Sequence, residues 1–466
     1  MAVPTKTSQE LANSITLSSR ESIQRSMSRL AGGNMKTTQD AVNTWAGTTG
    51  LTTQQALNSK AGTTGLSKQD ALNALYQSYQ GTLFEDFETI GDWTITGSAG
   101  YAGSIDSTIF KTGTGSLKLT ATGVSSNCYA TKTVNWDLSG SDPISFSVYI
   151  PDESSNTQTI TVYLSNDSTF TNYFNRAAST SGNFTKGWNT ITWAKSGFTP
   201  HASSSWASPI IRVRVRVDST SSGGQIAYFD SIYAGKKTRP KLVITFDDGW
   251  ESQLTEAYSY MATKGLKGTC YIPFDNIGTA NYMTEANLAT LYNAGWDIGN
   301  HTYNHTNLTT LGTQAEMEEE ISLNTAYLNS LGFTRSSLHF AYPNGAYNDT
   351  VLLAVAAQNI KTARTVIGTA AFMTVQPPDD FYHLRIQNLG NTDALANIEA
   401  KIDRCIEEGD VLFLNGHKLV VTPTVTTEFG ISDFQALMDY IKTKVDAGLI
   451  DVVTISEWYQ GIIENQ

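Results

Sequence analysis

The sequence predicts a multidomain chain: a short helical repeat segment over residues 1–80, an all-β sandwich over 82–236 and an α/β barrel unit over 240–466. Three observations predict this order. A 15-residue repeat is confined to the first part, alternating apolar and polar stretches fill the middle, and strand-then-helix patterns recur through the rest. At 466 residues the chain is too long for one unit of roughly 100–200 residues, so several cores are expected.

In the first part, Ala46-Gly-Thr-Thr-Gly50-Leu51 returns as Ala61-Gly-Thr-Thr-Gly65-Leu66. Gln39, Gln54 and Gln69 keep the same step, as do Ala41, Ala56 and Ala71. Each unit reads as a short helix opened by a Thr or Ser cap and stopped by Gly. Such a unit buries too little apolar surface to fold alone and needs neighbours, its own repeats or other subunits. The plain alternative is a low-complexity tail.

The middle part alternates with period two in Ser116–Thr122, Ile144–Ile150, Thr159–Leu164, Ile210–Val217 and Ile226–Tyr233. Clusters of Gly, Ser, Asn and Asp separate these runs, and short alternating strands with frequent turns indicate a sandwich. Trp93, Tyr101, Trp136, Tyr173, Trp188, Trp193 and Trp206 are candidates to stack on sugars, although core packing is the commoner fate of any one.

After the polar linker 234–240 the pattern changes. Leu242–Phe246, Gly268–Ile272, Trp296–Ile298, Ser337–Ala341, Asp410–Leu414 and Ile450–Thr454 read as strands. Glu251–Lys264, Glu285–Asn293, Gln314–Leu331 and Phe434–Ala447 read as helices between them. Repeated strand-then-helix order argues for parallel strands, and the length suits a barrel.

Four short motifs sit at predicted strand ends. Thr245-Phe-Asp-Asp-Gly249 puts two carboxylates where such barrels place active sites; alone, this motif is more often a turn. His301-Thr-Tyr-Asn-His305 offers two imidazoles four apart, able to share one metal ion. The pair stands out because the chain has only 6 His. Tyr342, Pro343, Asn344 and Gly345 form a Pro-x-Gly turn that can aim backbone N–H groups at a developing oxyanion. His417 follows Leu412-Phe-Leu-Asn-Gly and can reach the site as a general acid. Asp297, four residues before the His pair, and Thr302 inside it are candidates to orient the ligands. His339 reads as packed within its strand, and Glu316–Glu320 as a solvated helix face.

Composition narrows the partners. The net charge is −12 with no long basic block, which argues against nucleic acid. Three separated cysteines, Cys128, Cys270 and Cys405, do not form a complete disulfide set. The first residues lack the apolar stretch of a secretory leader, and no run approaches the ~20 apolar residues of a membrane span. No membrane insertion is expected.

Taken together and in this order, the four motifs over 240–460 resemble the polysaccharide deacetylase family, the NodB homology domain of carbohydrate esterase family 4. The resemblance implies a distorted (β/α) barrel that removes acetyl groups from a polysaccharide. It implies that Asp248, His301 and His305 hold one divalent ion, Zn²⁺ by default with Co²⁺ or Ni²⁺ also suited. It further implies Asp247 as general base toward the attacking water, a backbone N–H near Asn344 as oxyanion donor, and His417 as general acid. Many members carry an Arg where this chain has Ala341, and a Tyr where it has Asn344. The Phe-Ala-Tyr-Pro-x-Gly form looks like the subgroup acting on extracellular poly-N-acetylglucosamine. An Asp-x-x-Asp-Trp motif is not evident, and Arg385 fills part of that region.

The middle part resembles galactose-binding-like, jelly-roll carbohydrate-binding modules, through Phe84–Glu88, Thr112–Lys118 and Phe229–Ile232. That resemblance implies a structural Ca²⁺, with Asp230 and the acids near Asp86 as candidates. The Ala-Gly-Thr-Thr-Gly-Leu repeat resembles segments of bacteriophage virion and tail proteins. It implies a virion-associated or extracellular location, contacts to phage proteins through 1–80, and a homo-oligomer. Two other readings remain at this point: a non-catalytic receptor-binding protein that grips glycan, and a glycosidase using Asp247 with a distant carboxylate.

Overall fold

The computed structural model describes residues 81–464, apart from 99, 152–158, 180–181, 220–223 and 237. The repeat segment expected over 1–80, with its virion and oligomer contacts, lies outside the described residues.

Two antiparallel sheets of six strands form the first half. One runs Tyr101–Asp106, Ser116–Ala121, Gln225–Ala234, Ile144–Ile150 and Gly187–Trp193, with Thr82–Glu85 paired to Gln225–Ala234. The other runs Thr199–Pro200, Tyr173–Ser179, Thr159–Ser165, Ile210–Ser219, Ser126–Trp136 and Trp93–Gly97. The period-two pattern sets which side chains meet. Ile144, Phe146, Val148 and Ile150 from the first sheet join Val213, Val215 and Val217 from the second in one buried cluster. The alternate residues Arg212, Arg214 and Arg216 stay outside that cluster and reach Thr133, Thr131 and Asp218.

Seven parallel strands then close into a barrel: Lys241–Asp247, Thr269–Ile272, Asp297–Asn300, His339–Ala341, Thr362–Gly368, Leu384–Asn388 and Val411–Gly416. Closure is made by the first strand, which pairs with the second from Thr245↔Thr269 and with the last from Lys241↔Val411 to Phe246↔Gly416. Asp451–Val452 adds an outer pairing to Lys241 and Leu242. Helices Glu285–Asn293 and Gln314–Ser330 open on Thr284 and Thr313, whose side chains each accept from the backbone three residues on, in full capping boxes.

Three differences from the sequence reading bear on the site. The helix expected over 251–264 opens with a π-helical stretch, Gln253–Tyr258, before Ser259–Thr263. Thr362–Gly368 and Leu384–Asn388 are strands that were not foreseen. Their pairing shifts register between Arg364 and Gly368, which breaks the alternation that sequence reading depends on. Finally, Asp230 joins no cluster of three carboxylate, imidazole or thiolate groups among the described residues. Its oxygens accept from Lys111 N, from Thr112 N at 3.0 Å and from Thr112 Oγ1 at 2.7 Å, while Asp86 turns locally to Glu88 N. No helix among the described residues is long and apolar enough to cross a membrane.

Candidate metal centre and active site

The first barrel strand delivers Asp247 and Asp248 to its C-terminal end, where the chain must turn sharply. Asp248 has φ 73 and Gly249 φ 80; glycine adopts this left-handed region freely, an aspartate at a cost. The strand Asp297–Asn300 ends just before His301, and Thr302 (φ 65) and His305 (φ 55) share the unusual backbone. Strained residues on both loops are held there by what surrounds them. Buried Asn300 accepts from Thr302 N at 2.8 Å and from Asn324 Nδ2 at 3.0 Å, and donates to Thr325 Oγ1 at 2.8 Å.

These loops bring Asp248, His301 and His305 together, with one donor atom of each within 4.8 Å of the others. His301 Nε2 lies 3.6 Å and His305 Nε2 3.3 Å from Asp248 Oδ1. Ligands held at about 2.0–2.2 Å from one ion stand roughly 3–3.5 Å apart, so the set fits a divalent cation. His301 Nδ1 lies 2.8 Å from Ala341 O, and donating to that carbonyl leaves Nε2 with its lone pair toward Asp248. Burial lowers the His301 pKa to about 4, so the ring is neutral, as a ligand must be.

Asp247 faces a different set of groups. Arg364 Nη2 reaches both of its carboxylate oxygens. Asn415 Nδ2 donates to Oδ2 at 3.2 Å, and His417 Nε2 lies 3.6 Å from the same oxygen. Burial pushes the Asp247 carboxyl up, but Arg364, with His301 and His417, outweighs it and lowers the pKa to about 2. Gln253, at the start of the π-helical stretch, donates to both Asp247 O and His417 O, the latter at 3.0 Å. That stretch thereby ties the two loops together, as π-turns near functional sites often do.

The third motif forms a turn in which Asn344 takes φ 57. Its backbone hydrogen bonds can be counted. Tyr342 N donates to Arg364 O at 3.1 Å, Gly345 N to Tyr342 O at 2.9 Å, and Pro343 has no N–H. The Asn344 N–H has no such partner among the described residues, so it is the donor the turn leaves over. Tyr342 is buried beside Phe340 and Tyr347, with its hydroxyl unpartnered.

Arg364 was missed in the sequence. It stands in register with Ala341 on the neighbouring strand, so a guanidinium enters from beside the position where the family pattern has its Arg. The signal available was a single charge inside the β-branched run Thr362-Ala-Arg-Thr-Val-Ile367. Two expected supports stand elsewhere. Asp297 opens its strand, four residues before His301, where its carboxylate accepts from Arg335 Nε at 2.7 Å and Ser456 N at 2.8 Å. Arg385 lies over the Phe372 ring at 4.0 Å and makes no ion pair with Asp247. Thr302 is on the ligand loop, but its hydroxyl is buried without a partner. His339 is packed, with Nδ1 2.9 Å from Thr362 Oγ1. The solvated-face reading of Glu316–Glu320 holds at Glu316, which is exposed and completes a helix cap, and fails at half-buried Glu320, which accepts from Tyr303 N at 3.1 Å and Asn304 N at 2.9 Å.

Aromatic rings border the cluster. Trp250 and Tyr282 stack at 4.3 Å, and Trp250 Nε1 lies 3.3 Å from Asp248 Oδ2. The class so defined is a parallel α/β barrel with a two-imidazole, one-carboxylate cluster at its strand ends. Residues 234–363 match the polysaccharide deacetylase family. YxkH of Bacillus subtilis (strain 168), itself only provisionally named a polysaccharide deacetylase, is 31% identical over 120 residues. That alignment takes in 26% of this chain and 42% of the relative, so the chain spans about two fifths of that relative's length. A family 4 carbohydrate esterase from Streptomyces lividans in complex with acetate is 17% identical, covering 47% of this chain and 94% of that one, with a TM-score of 0.32. A family 11 carbohydrate-binding module from Clostridium thermocellum is 14% identical over 33% of this chain and 93% of that one, with a TM-score of 0.26.

Proposed function

We propose that the barrel is a metal-dependent deacetylase that hydrolyses N-acetyl or O-acetyl groups of a cell-surface or matrix polysaccharide. The observation that carries this reading is one juxtaposition. A carboxylate held ionised by Arg364 stands one residue from a cluster able to bind a divalent ion, with a histidine 3.6 Å away.

Asp248, His301 and His305 would hold the ion, Zn²⁺ being the default for this donor set. Such an ion supplies Lewis acidity to the acetyl carbonyl and makes water easier to deprotonate. Asp247 takes the proton of the attacking water. Arg364 and Asn415 fix its orientation, so it costs no reorganisation at that moment. The Asn344 N–H donates to the carbonyl oxygen as negative charge gathers there. His417 gives a proton to the departing amine nitrogen, or to the alkoxide oxygen of an ester. The stacked Trp250 and Tyr282 offer an apolar face to a sugar ring beside the cluster. The virion-type repeat supports a further part of the proposal, that residues 1–80 attach the enzyme to a phage particle as an oligomer.

The test is acetate release by the full chain, loaded with Zn²⁺, from acetylated glucosamine oligomers and acetylated xylan. We expect release that a chelator abolishes and added metal restores, with at least a 100-fold loss in Asp248→Asn. Product mass should show lost acetyl groups on uncut chains; cut chains would mean a glycosidase. A metal-loaded chain that binds these glycans and frees no acetate would leave the receptor-binding reading in its place.

A further inference from the structure

The ring of His417, the proposed general acid, is placed without a hydrogen bond of its own. Its Nε2 lies 3.6 Å from Asp247 Oδ2, beyond hydrogen-bonding distance, and its Nδ1 is buried with no partner. The barrel does not hold its backbone either. The parallel pairing of Val411–Gly416 with the first strand ends at Phe246↔Gly416, one residue before His417. Beyond it, Lys418–Val420 turns to a partner of its own, Glu428–Gly430. A general acid has to stand within reach of the atom it protonates, so its placement must come from elsewhere.

Gln253 provides that placement. It is fully buried at the start of the π-helical stretch Gln253–Tyr258. Its Nε2 donates to two carbonyls, Asp247 O and His417 O, the latter at 3.0 Å. One amide group therefore spans from the backbone of the proposed base to the backbone of the proposed acid. Ser252 beside it adds a second tie, its Oγ accepting from Leu419 N at 3.0 Å. Among the described residues, these are the hydrogen bonds that join segment 417–419 to the loop of Asp247.

The other half of the carboxamide argues the same way. Gln253 Oε1 is buried with no partner. An unmade buried acceptor costs free energy that an apolar side chain of the same length avoids. Such a side chain would lack the one thing Gln253 has here, a donor for two carbonyls at once. We propose that Gln253 is a positioning residue: it sets where His417 stands relative to Asp247, and thereby governs protonation of the leaving group. This rests on the deacetylase reading, in which that proton comes from His417.

The test is the kinetics of the full, Zn²⁺-loaded chain on two substrates that differ in their need for an acid. An acetylated glucosamine oligomer releases an amine, whose nitrogen must gain a proton to depart. The aryl ester para-nitrophenyl acetate releases a phenolate, which departs as the anion. Gln253→Met keeps the length of the side chain and removes the donor. We expect kcat on the oligomer to fall about 10- to 100-fold with KM nearly unchanged, and the rate on the aryl ester to fall by less than about 3-fold. On the oligomer, Gln253→Met combined with His417→Ala should be no slower than His417→Ala alone, because the glutamine acts through the histidine. Equal losses on both substrates, or losses that multiply in the double variant, overturn the assignment and make Gln253 a structural clamp. Rates are taken per folded molecule, with folding checked by circular dichroism. If Gln253→Met does not fold, half-buried Ser252→Ala carries the decision, with a smaller loss again confined to the oligomer. A parent chain that frees acetate while Gln253→Met matches it on the oligomer overturns this inference and leaves the deacetylase reading standing; a parent chain that frees none overturns both.

Discussion

In the proposed mechanism, Arg364 decides whether Asp247 can act as the base. A carboxylate with 4% exposure and no cation would be driven toward its neutral form; here the guanidinium spans both oxygens and keeps it charged. Removing that partner leaves the acid free to rotate, and misplacement of a reacting group by about 1 Å costs on the order of 100-fold. Arg364→Gln should therefore lower kcat about 100-fold with KM nearly unchanged, measured per folded molecule, because a broken buried pair also costs about 3–5 kcal/mol of stability. Since residue 341 stands in parallel register with 364, its side chain leaves the sheet on the same face. Ala341→Arg placed on the Arg364→Gln background should regain part of the rate; no recovery would deny that the two positions substitute for one another. His339 yields a prediction about stability. Burial lowers its pKa from 6.5 to about 3, against the pull of Asp297. The fold thus holds the neutral ring. Its contribution is intact above pH 6.5 and is lost as pH falls from there toward 3, by about 3 kcal/mol at pH 4. Denaturant unfolding at pH 7 and pH 4 should show a smaller loss for His339→Asn than for the parent chain; equal losses would sink the assignment.

The loop carrying His301 and His305 depends on the helix Gln314–Ser330. Glu320 accepts from two successive backbone N–H groups of that loop and from Asn304 Nδ2 at 2.7 Å, while Asn324 holds Asn300 from below. Glu320→Ala frees three donors and loosens His305, the more exposed of the two proposed histidine ligands. Zinc affinity, read by competition with a chelating dye, should fall about 10- to 100-fold, the range for lost supports around ligands. A Kd within 2-fold of the parent would mean the loop holds its own shape. This support was hidden in the sequence, where Glu316–Glu320 has the look of a charged solvent face. Much else was legible there. Thr245–Gly249 and His301–His305 are compact motifs at the ends of strands that a continuous apolar run announces, so their partners could be named by number. What escaped reading depends on folding across the barrel: the strand Thr362–Gly368 has a register shift instead of clean alternation, and Arg364 acquires its meaning only from Asp247, 117 residues away. Asp297 misled because nearness in sequence stood in for nearness in space, and along a strand four residues cover about 13 Å.

At the scale of the whole described unit, Thr82–Tyr459, the sandwich and the barrel share structure. Phe372 leaves the barrel and enters the sandwich's buried cluster, 2% exposed, with its ring 5.1 Å from Phe184. Trp193 Nε1 donates to Ala371 O at 3.0 Å beside it. Charged groups cross the same boundary: Arg176 stands 3.7 Å from the buried Glu408, which Arg404 holds at 3.2 Å, and Lys236 pairs with Asp410 out of solvent. Buried ion pairs contribute little net stability but penalise separation heavily, because each partner left alone is an uncompensated charge. Opening this boundary would thus cost the apolar plug and the buried Lys236–Asp410 pair, more than a lightly tethered module would lose. The expected behaviour is one cooperative unfolding transition, with tryptophan fluorescence and far-UV circular dichroism superimposing. Phe372→Ala removes the plug at a cost of about 3–5 kcal/mol. The sandwich should then melt apart from the barrel, so that the two signals no longer coincide. Two separate transitions in the parent chain, or an unmoved single transition in Phe372→Ala, would show that the halves fold independently and that Phe372 merely fills space between them.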